Sequence, residues 1–340
     1  MRSKETLSES TGIVADWRPG SSLEVLRKRA WMLAEIRSHF DREGLMEVET
    51  PLLCHAVSSD PKLDYFSTML EFEGSKTDRR LYLQTSPEYS MKRLLAAGAG
   101  SIYQIGKAFR NGECGRFHNP EFTILEWYRL GFDLNRLMDD IEALLSRVFD
   151  KALAGLETQR ISYREVFLKH IGFDPVLADI AEFRSFADRI GDANALCLCG
   201  DDLRLWQEYL FGCVVQPRLG QRGLCLVYDY PANQSALARI RPDDARVAER
   251  VEGFYRGIEL VNGFHELACS TEQRARILGD LEIRARSGKD LPALDERLLA
   301  ALEAGLPDCS GAALGLDRLL MILTDAASID QVLSFSFARA

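Results

Sequence analysis

Hydrophobic residues recur at helical spacing in the first patterned stretch of the chain. Apolar side chains follow one another three or four positions apart between Leu23 and Phe40. This period predicts a helix, for which Ser22 is a suitable N-cap and Gly44 a suitable stop. Residues 1–21 are polar and lack the period, so we expect a flexible N-terminal segment.

Alternating apolar and polar positions predict most of the strands. The segments "SIYQIGKAFR" (101–110) and "EFTILEWYRL" (121–130) flank a glycine-bearing loop and predict an antiparallel hairpin. Further strands are predicted within "MEVETP" (46–51), "LYLQT" (81–85), "LCLVYDYP" (224–231), "GFYRGIELVNGFHEL" (253–267) and the glycine-rich start of "GAALGLDRLLMILT" (311–324). Helical patterns occupy about 134–154, 175–222, 270–288 and 292–304.

The order of these elements predicts the fold class. Because the strands are joined mainly as hairpins or neighbours and the helices lie between them, we expect an α+β fold with an antiparallel sheet flanked by helices. No repeat or linker interrupts the pattern, so residues 22–340 are predicted to form one domain, with a helical segment at about 175–222.

Composition narrows the possible functions. The 340 residues carry a formal net charge of −9, which disfavours a broad electrostatic grip on nucleic acid. Eight cysteines in a chain of this length, without a second close Cys or His pair, are typical of reduced thiols in a cytoplasmic protein. The N-terminus lacks an apolar leader and no apolar run reaches about 18 residues, so we expect no membrane span.

The hairpin carries the first unusual chemistry. Its second strand places Phe122, Ile124, Glu126 and Tyr128 on one face, and a carboxylate among apolar neighbours is uncommon in a core. Arg110 ends the first strand, where its guanidinium suits a phosphate or carboxylate. A salt-bridged hairpin without a ligand is the alternative interpretation.

A second pair of carboxylates lies in "GIELVNGFHEL". Glu259 and Glu266 are seven positions apart and would face opposite ways on a regular strand. The Asn262–Gly263 pair between them is a natural place for a bulge, which would bring both to one side. Two carboxylates near an anion-binding arginine suit Mg²⁺ with polyphosphate. A solvated hairpin with an ordinary turn is the alternative.

Two shorter segments are ambiguous by themselves. In "GAALGLDR" (311–318), the glycines allow a ligand close to the backbone and the helix that follows offers free amides, but packing glycines explain the pattern better when the segment is taken alone. In "TSPEY", Ser86 is a suitable N-cap, Pro87 suits the first helical position, and Glu88 is favoured there by the helix dipole. A simple helix start therefore accounts for this segment.

Together these segments resemble the catalytic domain of class II aminoacyl-tRNA synthetases. "GLMEVETP" is similar to motif 1, "FRNGECGRFHNPEFTILEW" to motif 2 and "GAALGLDR" to motif 3. The resemblance covers about 22–340 and is closest to lysyl-tRNA synthetases, through segments 116–123 and 262–267. It implies a class II catalytic fold, ATP as a substrate and a homodimer formed through motif 1.

The resemblance also indicates the substrate. Lysyl-tRNA synthetases carry an anticodon-binding barrel before motif 1, whereas about 21 polar residues precede the first helix here. The chain is therefore more similar to the paralogs of these enzymes that modify a protein, and we expect no tRNA acceptor. These paralogs adenylate (R)-β-lysine and transfer it to a lysine of elongation factor P. The alternatives are an enzyme that makes lysyl-adenylate for another acceptor and a catalytically silent amino acid-binding regulator.

Residue roles follow from the resemblance by motif position. Arg110 and Arg318 are the expected catalytic residues: Arg110 would hold the α-phosphate, and Arg318 would lie near the terminal phosphates and sandwich the adenine with Phe122. The other expected ATP contacts are Asn111, Gly112, Asn119, Glu126, Glu259, Leu260 and Gly315. The expected amino acid contacts are Ser86, Pro87, Glu88, Tyr128, Glu266 and Ala313. Glu259 and Glu266 would also bind Mg²⁺.

Two positions depart from the family pattern. Gly112 stands where relatives commonly have glutamate, so any side-chain contact made there is lost. Ala313 stands where lysyl-tRNA synthetases have glycine, and its methyl group would intrude on the floor of the pocket. We take this as a hypothesis that β-lysine is preferred over α-lysine.

Overall fold

The computed structural model describes residues 17–71, 79–149 and 157–340. The strands are β1 Met46–Glu47, β2 Leu53–Cys54, β3 Ser67–Leu70, β4 Arg79–Leu83, β5 Ile102–Phe109, β6 Glu121–Leu130, β7 Gln159–Ser162, β8 Cys225–Pro231, β9 Val247–Tyr255, β10 Ile258–His265 and β11 Cys309–Gly315. The α-helices are α1 Leu23–Arg42, α2 Glu88–Ala96, α3 Leu134–Val148, α4 Tyr163–His170, α5 Ile180–Ile190, α6 Ala193–Cys199, α7 Leu203–Leu210, α8 Ser270–Arg286, α9 Glu296–Gly305 and α10 Leu316–Leu323.

The main sheet has eight strands in the order β1-β5-β6-β11-β10-β9-β8-β7. The two outermost pairs, β1 with β5 and β7 with β8, are parallel, and the pairs between them are antiparallel. A separate three-stranded sheet has the order β2-β4-β3. The predicted α+β class with a mostly antiparallel sheet is confirmed, because hairpins supply most of the neighbouring pairs.

Helices α1, α3 and α10 cover one face of the main sheet. Side chains such as Ile36, Ile141 and Leu320 pack there against Leu125 and Trp127 of β6 in one hydrophobic cluster. The residues of β6 that alternate with these two point to the opposite face. The central strands therefore bury one face in the core and leave the other face for a site.

The segment at 175–222 is helical, as predicted, and builds a second core. Helices α5 to α7 and the π-helix Phe211–Val215 pack with α4 against β8. Large side chains such as Phe183, Trp206 and Phe211 are almost fully buried in this cluster. Apolar packing therefore explains why this segment shows no readable motif.

Several predicted boundaries need correction. The strand predicted at 81–85 spans Arg79–Leu83, and the single strand predicted at 253–267 is two strands, β9 and β10, joined at a turn. The helix predicted to reach 154 ends at Val148, and residues 150–154 lie outside the described residues. The flexible segment predicted at 1–21 falls mostly outside them as well. Within the described chain, no helix is both long and apolar enough to cross a membrane.

Helix α2 begins one residue later than predicted. Pro87, not Ser86, occupies the N-cap position and makes no side-chain cap bond. The hydroxyl of Ser86 still accepts a hydrogen bond from the backbone N–H of Glu88, 3.1 Å away. Ser86 thus satisfies one free amide of the helix while its own hydroxyl proton is donated to the carboxylate of Glu126.

Candidate active site

Small residues of β11 open a space on the uncovered face of the sheet. Gly311 is paired with Tyr128 of β6, and Ala313 is paired with Glu126. Paired residues project from the same face, so these four residues share it. A cavity of about 880 Å³ opens there, and Ser86, Glu88, Arg110, Glu126, Tyr128, Glu266 and Ala313 line it together with other residues. The structure thus brings seven of the predicted site residues to one cavity.

Glu126 is almost fully buried in the cavity wall. One of its oxygens accepts a hydrogen bond from the Tyr128 hydroxyl and the other from the Ser86 hydroxyl, both at 2.7 Å. Burial, together with the nearby charge of Glu88, raises the pKa of Glu126 to about 7. The two hydroxyl donors fix its orientation, so it shapes the cavity wall between Ser86 and Tyr128.

A buried lysine that was not predicted lies beneath the cavity. The Lys92 ammonium is 2.7 Å from a carboxylate oxygen of Glu88 and 2.6 Å from one of Glu266. Its side chain is only 2% exposed. Burial disfavours the charged form, but the two carboxylates outweigh it and hold the pKa of Lys92 above its ordinary value. The four-residue spacing of Glu88 and Lys92 on one helix is the sequence signal that indicates half of this arrangement.

The predicted β-bulge exists, but at a different position. The register between β9 and β10 shifts between Glu259 and Val261, whereas Asn262 and Gly263 pair regularly. Leu260 and Val261 are consequently both buried in the core. This extra residue turns Glu259 to the face that Asn262 and Glu266 share, which is the outcome predicted for a bulge at Asn262.

The two carboxylates nevertheless have different partners in the structure. Glu259 lies 3.7 Å from the guanidinium of Arg318 and is 39% exposed, whereas Glu266 is paired with Lys92. A half-exposed carboxylate fits Mg²⁺, which needs only one or two carboxylates when phosphate and water complete its shell. The described residues contain no cluster of three or more acidic, His or Cys ligands. Glu259 therefore fits the ion better than Glu266 does.

Arg318 is held by backbone oxygens at the start of α10. It donates hydrogen bonds to the carbonyls of Phe117 and Glu259, at 3.3 and 3.0 Å, and contacts a ring nitrogen of His118 at 2.6 Å. Its neighbour Asp317 accepts a hydrogen bond from the backbone N–H of Thr123 at 2.7 Å. These contacts tie α10 to both the loop and the second strand of the hairpin.

Arg110 carries an unused donor at the end of β5. Its guanidinium lies 5.0 Å from the centre of the Phe122 ring and 3.7 Å from the carboxylate of Glu113. Its buried Nε finds no hydrogen-bond partner among the described residues. Gly112 has φ +81°, a left-handed conformation that favours glycine, so the turn accounts for the departure from glutamate at this position. An anion that approaches the cavity would satisfy the free donor.

Other predicted ATP residues have contacts that limit what they can offer. The Asn119 side chain donates to the carbonyl of Glu121 at 2.6 Å and accepts from the N–H of Phe337 at 3.0 Å. Asn111 is exposed and its N–H bonds to the carbonyl of Asp64. Leu260 points into the core, so only its backbone is available to a ligand. The hydrogen bonds of Asn119 therefore stabilise the hairpin loop in the structure.

Besides Lys92, a polar group at the cavity wall was not predicted. Arg250 forms an ion pair with Glu252, and its guanidinium lies 4.7 Å from the centre of the Tyr230 ring. Glu252 also accepts a hydrogen bond from the Tyr230 hydroxyl at 2.6 Å. These residues lie on β8 and β9 and line the cavity. Tyr230 lies in a predicted strand, but the first half of β9, which carries Arg250 and Glu252, was not predicted.

Comparisons with known proteins agree with the fold. A model of the family of class II tRNA synthetases (D, K and N) matches residues 9–339. The chain is 45% identical over 326 residues to a protein of Vibrio cholerae serotype O1 named elongation factor P–(R)-β-lysine ligase, covering 96% of this chain and 99% of that one. A protein of the same name from Pectobacterium atrosepticum is 44% identical over 334 residues, covering 98% and 100%. A third, from Haemophilus influenzae, is 45% identical over 326 residues, covering 95% and 98%.

Proposed function

The chain belongs to the family of class II tRNA synthetases, and we propose that it is an ATP-dependent ligase that adenylates (R)-β-lysine and transfers it to a lysine of elongation factor P. The observation that carries this proposal is the acidic cavity. Glu88, Glu126 and Glu266 line it, and among the described residues Lys92 is the cation that contacts Glu88 and Glu266. A cavity with this excess of carboxylates suits an amino acid with two ammonium groups.

Arg110 supports the adenylation step. It borders the same cavity and holds a buried N–H without a partner, at the position that the motif 2 resemblance assigns to the α-phosphate. A carboxylate oxygen of β-lysine attacks the α-phosphorus of ATP, the bond to the bridging oxygen breaks, and pyrophosphate leaves with that electron pair. Arg110 stabilises the negative charge that develops on the α-phosphate oxygens, and Arg318 interacts with the terminal phosphates.

Transfer to the acceptor needs no covalent enzyme intermediate. The ε-amine of an elongation factor P lysine attacks the carbonyl carbon of β-lysyl-adenylate, and the carbon–oxygen bond to AMP breaks. The amine loses one proton as the amide forms, and AMP leaves as the anion. The enzyme contributes by holding the adenylate and by stabilising charge. Because the acceptor is a protein amine, tRNA has no part in this reaction.

The remaining nucleotide contacts are part of the same proposal. Phe122 and Arg318 enclose the adenine, Gly315 permits close approach, and the backbone of Glu259 and Leu260 faces the nucleotide. Bound Mg²⁺ would neutralise phosphate charge, with Glu259 as its first protein ligand and Glu266 as a second if it leaves Lys92.

We also propose that the enzyme is a cytoplasmic homodimer formed through motif 1. The support is the exposed apolar surface at this segment, where Met46 is 49% exposed, Leu52 41% and Leu53 48%. Apolar side chains grouped on a surface are typical of an interface between subunits.

Amino acid-dependent exchange of pyrophosphate into ATP tests the first half-reaction. We expect strong exchange with (R)-β-lysine, weak exchange with α-lysine and none without Mg²⁺. The second half-reaction is tested by mass spectrometry of elongation factor P after incubation with ATP and (R)-β-lysine. Faster exchange with α-lysine would replace the proposal with lysyl-adenylate synthesis, and no exchange with either would indicate a silent regulator.

A further inference from the structure

Lys92 occupies an unusual place for a lysine. It projects from α2, whose Met91 and Leu95 are buried in a cluster with Ile102 and Tyr128, so the helix is fixed beneath the cavity. Its ammonium contacts carboxylates from two distant parts of the chain, Glu88 on the same helix and Glu266 beyond β10. Lysine is rarely buried unless it is paired, so both contacts are needed to keep it there.

Glu88 and Glu266 line the cavity, and each has one oxygen that Lys92 does not contact. Lys92 donates a hydrogen bond to one oxygen of Glu88, and its contact with Glu266 is an ion pair without hydrogen-bond geometry. The other oxygens, Oε2 of Glu88 and Oε1 of Glu266, have no hydrogen-bond partner among the described residues. Glu126 is different, because Ser86 and Tyr128 use both of its oxygens. Glu88 and Glu266 are thus the carboxylates with acceptors left for a ligand.

The number of free acceptors also matches a diamino acid. Glu88 and Glu266 each keep one oxygen that Lys92 does not contact, and a diamino acid has two ammonium groups. The substrate carboxylate would lie toward Arg110, which borders the cavity as well.

We propose that Lys92 is a positioning residue of the amino acid pocket, an internal cation that holds Glu88 and Glu266 so that their free oxygens receive the two ammonium groups of the substrate. This inference rests on the proposed function, since it concerns how the same cavity selects its amino acid. It adds a residue to the pocket that acts only through Glu88 and Glu266 and contacts no substrate atom.

Removal of the Lys92 ammonium should displace the carboxylates of Glu88 and Glu266. Glu88 and Glu266 both lie within ion-pair distance of the same nitrogen, so without it they repel each other across the space that it filled. Their free oxygens then move from the positions that receive the substrate. The nucleotide contacts on the hairpin loop and α10 include no contact with Lys92, so ATP binding should not change.

The test is a comparison of Michaelis constants in pyrophosphate exchange for the wild type and Lys92→Met. We expect the KM for (R)-β-lysine to rise at least tenfold and the KM for ATP to stay within twofold. The matched control is Arg129→Met, which removes a cation that is also buried but paired with Asp140 on the other face of the sheet. It should lower thermal stability and leave the KM for (R)-β-lysine within twofold.

Two outcomes would overturn the inference. A KM for (R)-β-lysine in Lys92→Met that stays within twofold of the wild type, or falls, would make Lys92 a structural residue only. If Lys92→Met does not fold, Lys92→Arg keeps the charge but displaces both carboxylates with its larger head group. An unchanged KM in that variant would refute positioning, and we expect a rise of at least threefold. Absence of exchange in the wild type would instead refute the proposed function.

Discussion

The close approach of β11 to the pocket predicts that Gly311→Ala disables the enzyme. A β-carbon on Gly311 would lie 2.4 Å from two ring carbons of Tyr128 and 2.9 Å from a carboxylate oxygen of Glu266. Neither neighbour can yield easily, because Tyr128 is 2% exposed and bonded to Glu126, and Glu266 is 1% exposed and paired with Lys92. The methyl group must therefore displace the side chains that form the amino acid pocket.

The size of the effect follows from this overlap. Carbon atoms in contact prefer about 3.5–4 Å, so the Tyr128 ring has to retreat by roughly 1 Å or more. Overpacking of this kind costs about 1–3 kcal/mol of folding stability, which lowers the thermal midpoint of a chain of this length by about 1–4 °C. A displacement of about 1 Å in a reacting site costs on the order of 100-fold in rate, so kcat/KM for (R)-β-lysine should fall by about that factor.

Gly315→Ala is the matched control on the same strand face. A β-carbon there meets only the side chain of Arg318, at 3.9 Å, and its φ of −75° suits alanine. The thermal midpoint should not change, whereas the KM for ATP should rise about tenfold because the methyl group fills space proposed for the nucleotide. Thermal melting and pyrophosphate exchange measure both variants. Equal stability of Gly311→Ala and wild type, with unchanged kcat/KM, would refute the steric reasoning.

Three further predictions test other parts of the structure. Ala313→Gly removes a methyl group from the cavity floor, so the preference for (R)-β-lysine over α-lysine in exchange should fall by about tenfold or more; an unchanged ratio would contradict this. Arg110→Lys loses the planar donor set, so exchange at saturating ATP should slow by about 100-fold, and a change below about tenfold would show that another group stabilises the α-phosphate. Ser162→Ala removes the N-cap of α4 and should cost about 1 kcal/mol in urea unfolding at neutral pH. The backbone N–H of Ser162 and, to a smaller extent, its hydroxyl lower the pKa of Glu165, and the alanine variant loses only the hydroxyl contribution. That contribution is present above 4.5, so the difference in stability between the variants should narrow slightly as the pH falls below this value; a constant difference would exclude this coupling.

Elements that depend on local periodicity could be predicted from the sequence. The helix capped by Ser22 and the hairpin of β5 and β6 both repeat their pattern over many residues, so each carries its own signal. The bulge near Glu259 could be predicted only in part. The seven-residue spacing of the carboxylates indicated that a bulge was required. Its position depends on the register with β9, and that strand begins in a segment without clear alternation. Asn262–Gly263 is a favourable turn sequence, yet pairing across both neighbouring strands holds it regular.

The burial of Lys92 could not be predicted from the sequence. Its helical period is compatible with an exposed charge, and only the approach of Glu266, far along the chain, makes it a buried cation. The glycines of β11 were ambiguous in the sequence, because close packing and the close approach of a ligand both require small residues. In the structure, the ring of Tyr128 and a carboxylate oxygen of Glu266 fill the space above Gly311, so close packing requires a glycine at this position. Gly311 and Ala313 also border the cavity, while Leu314 on the same strand faces the core. A strand can keep small residues on one face only, and here that face is the one where three carboxylates and an arginine converge.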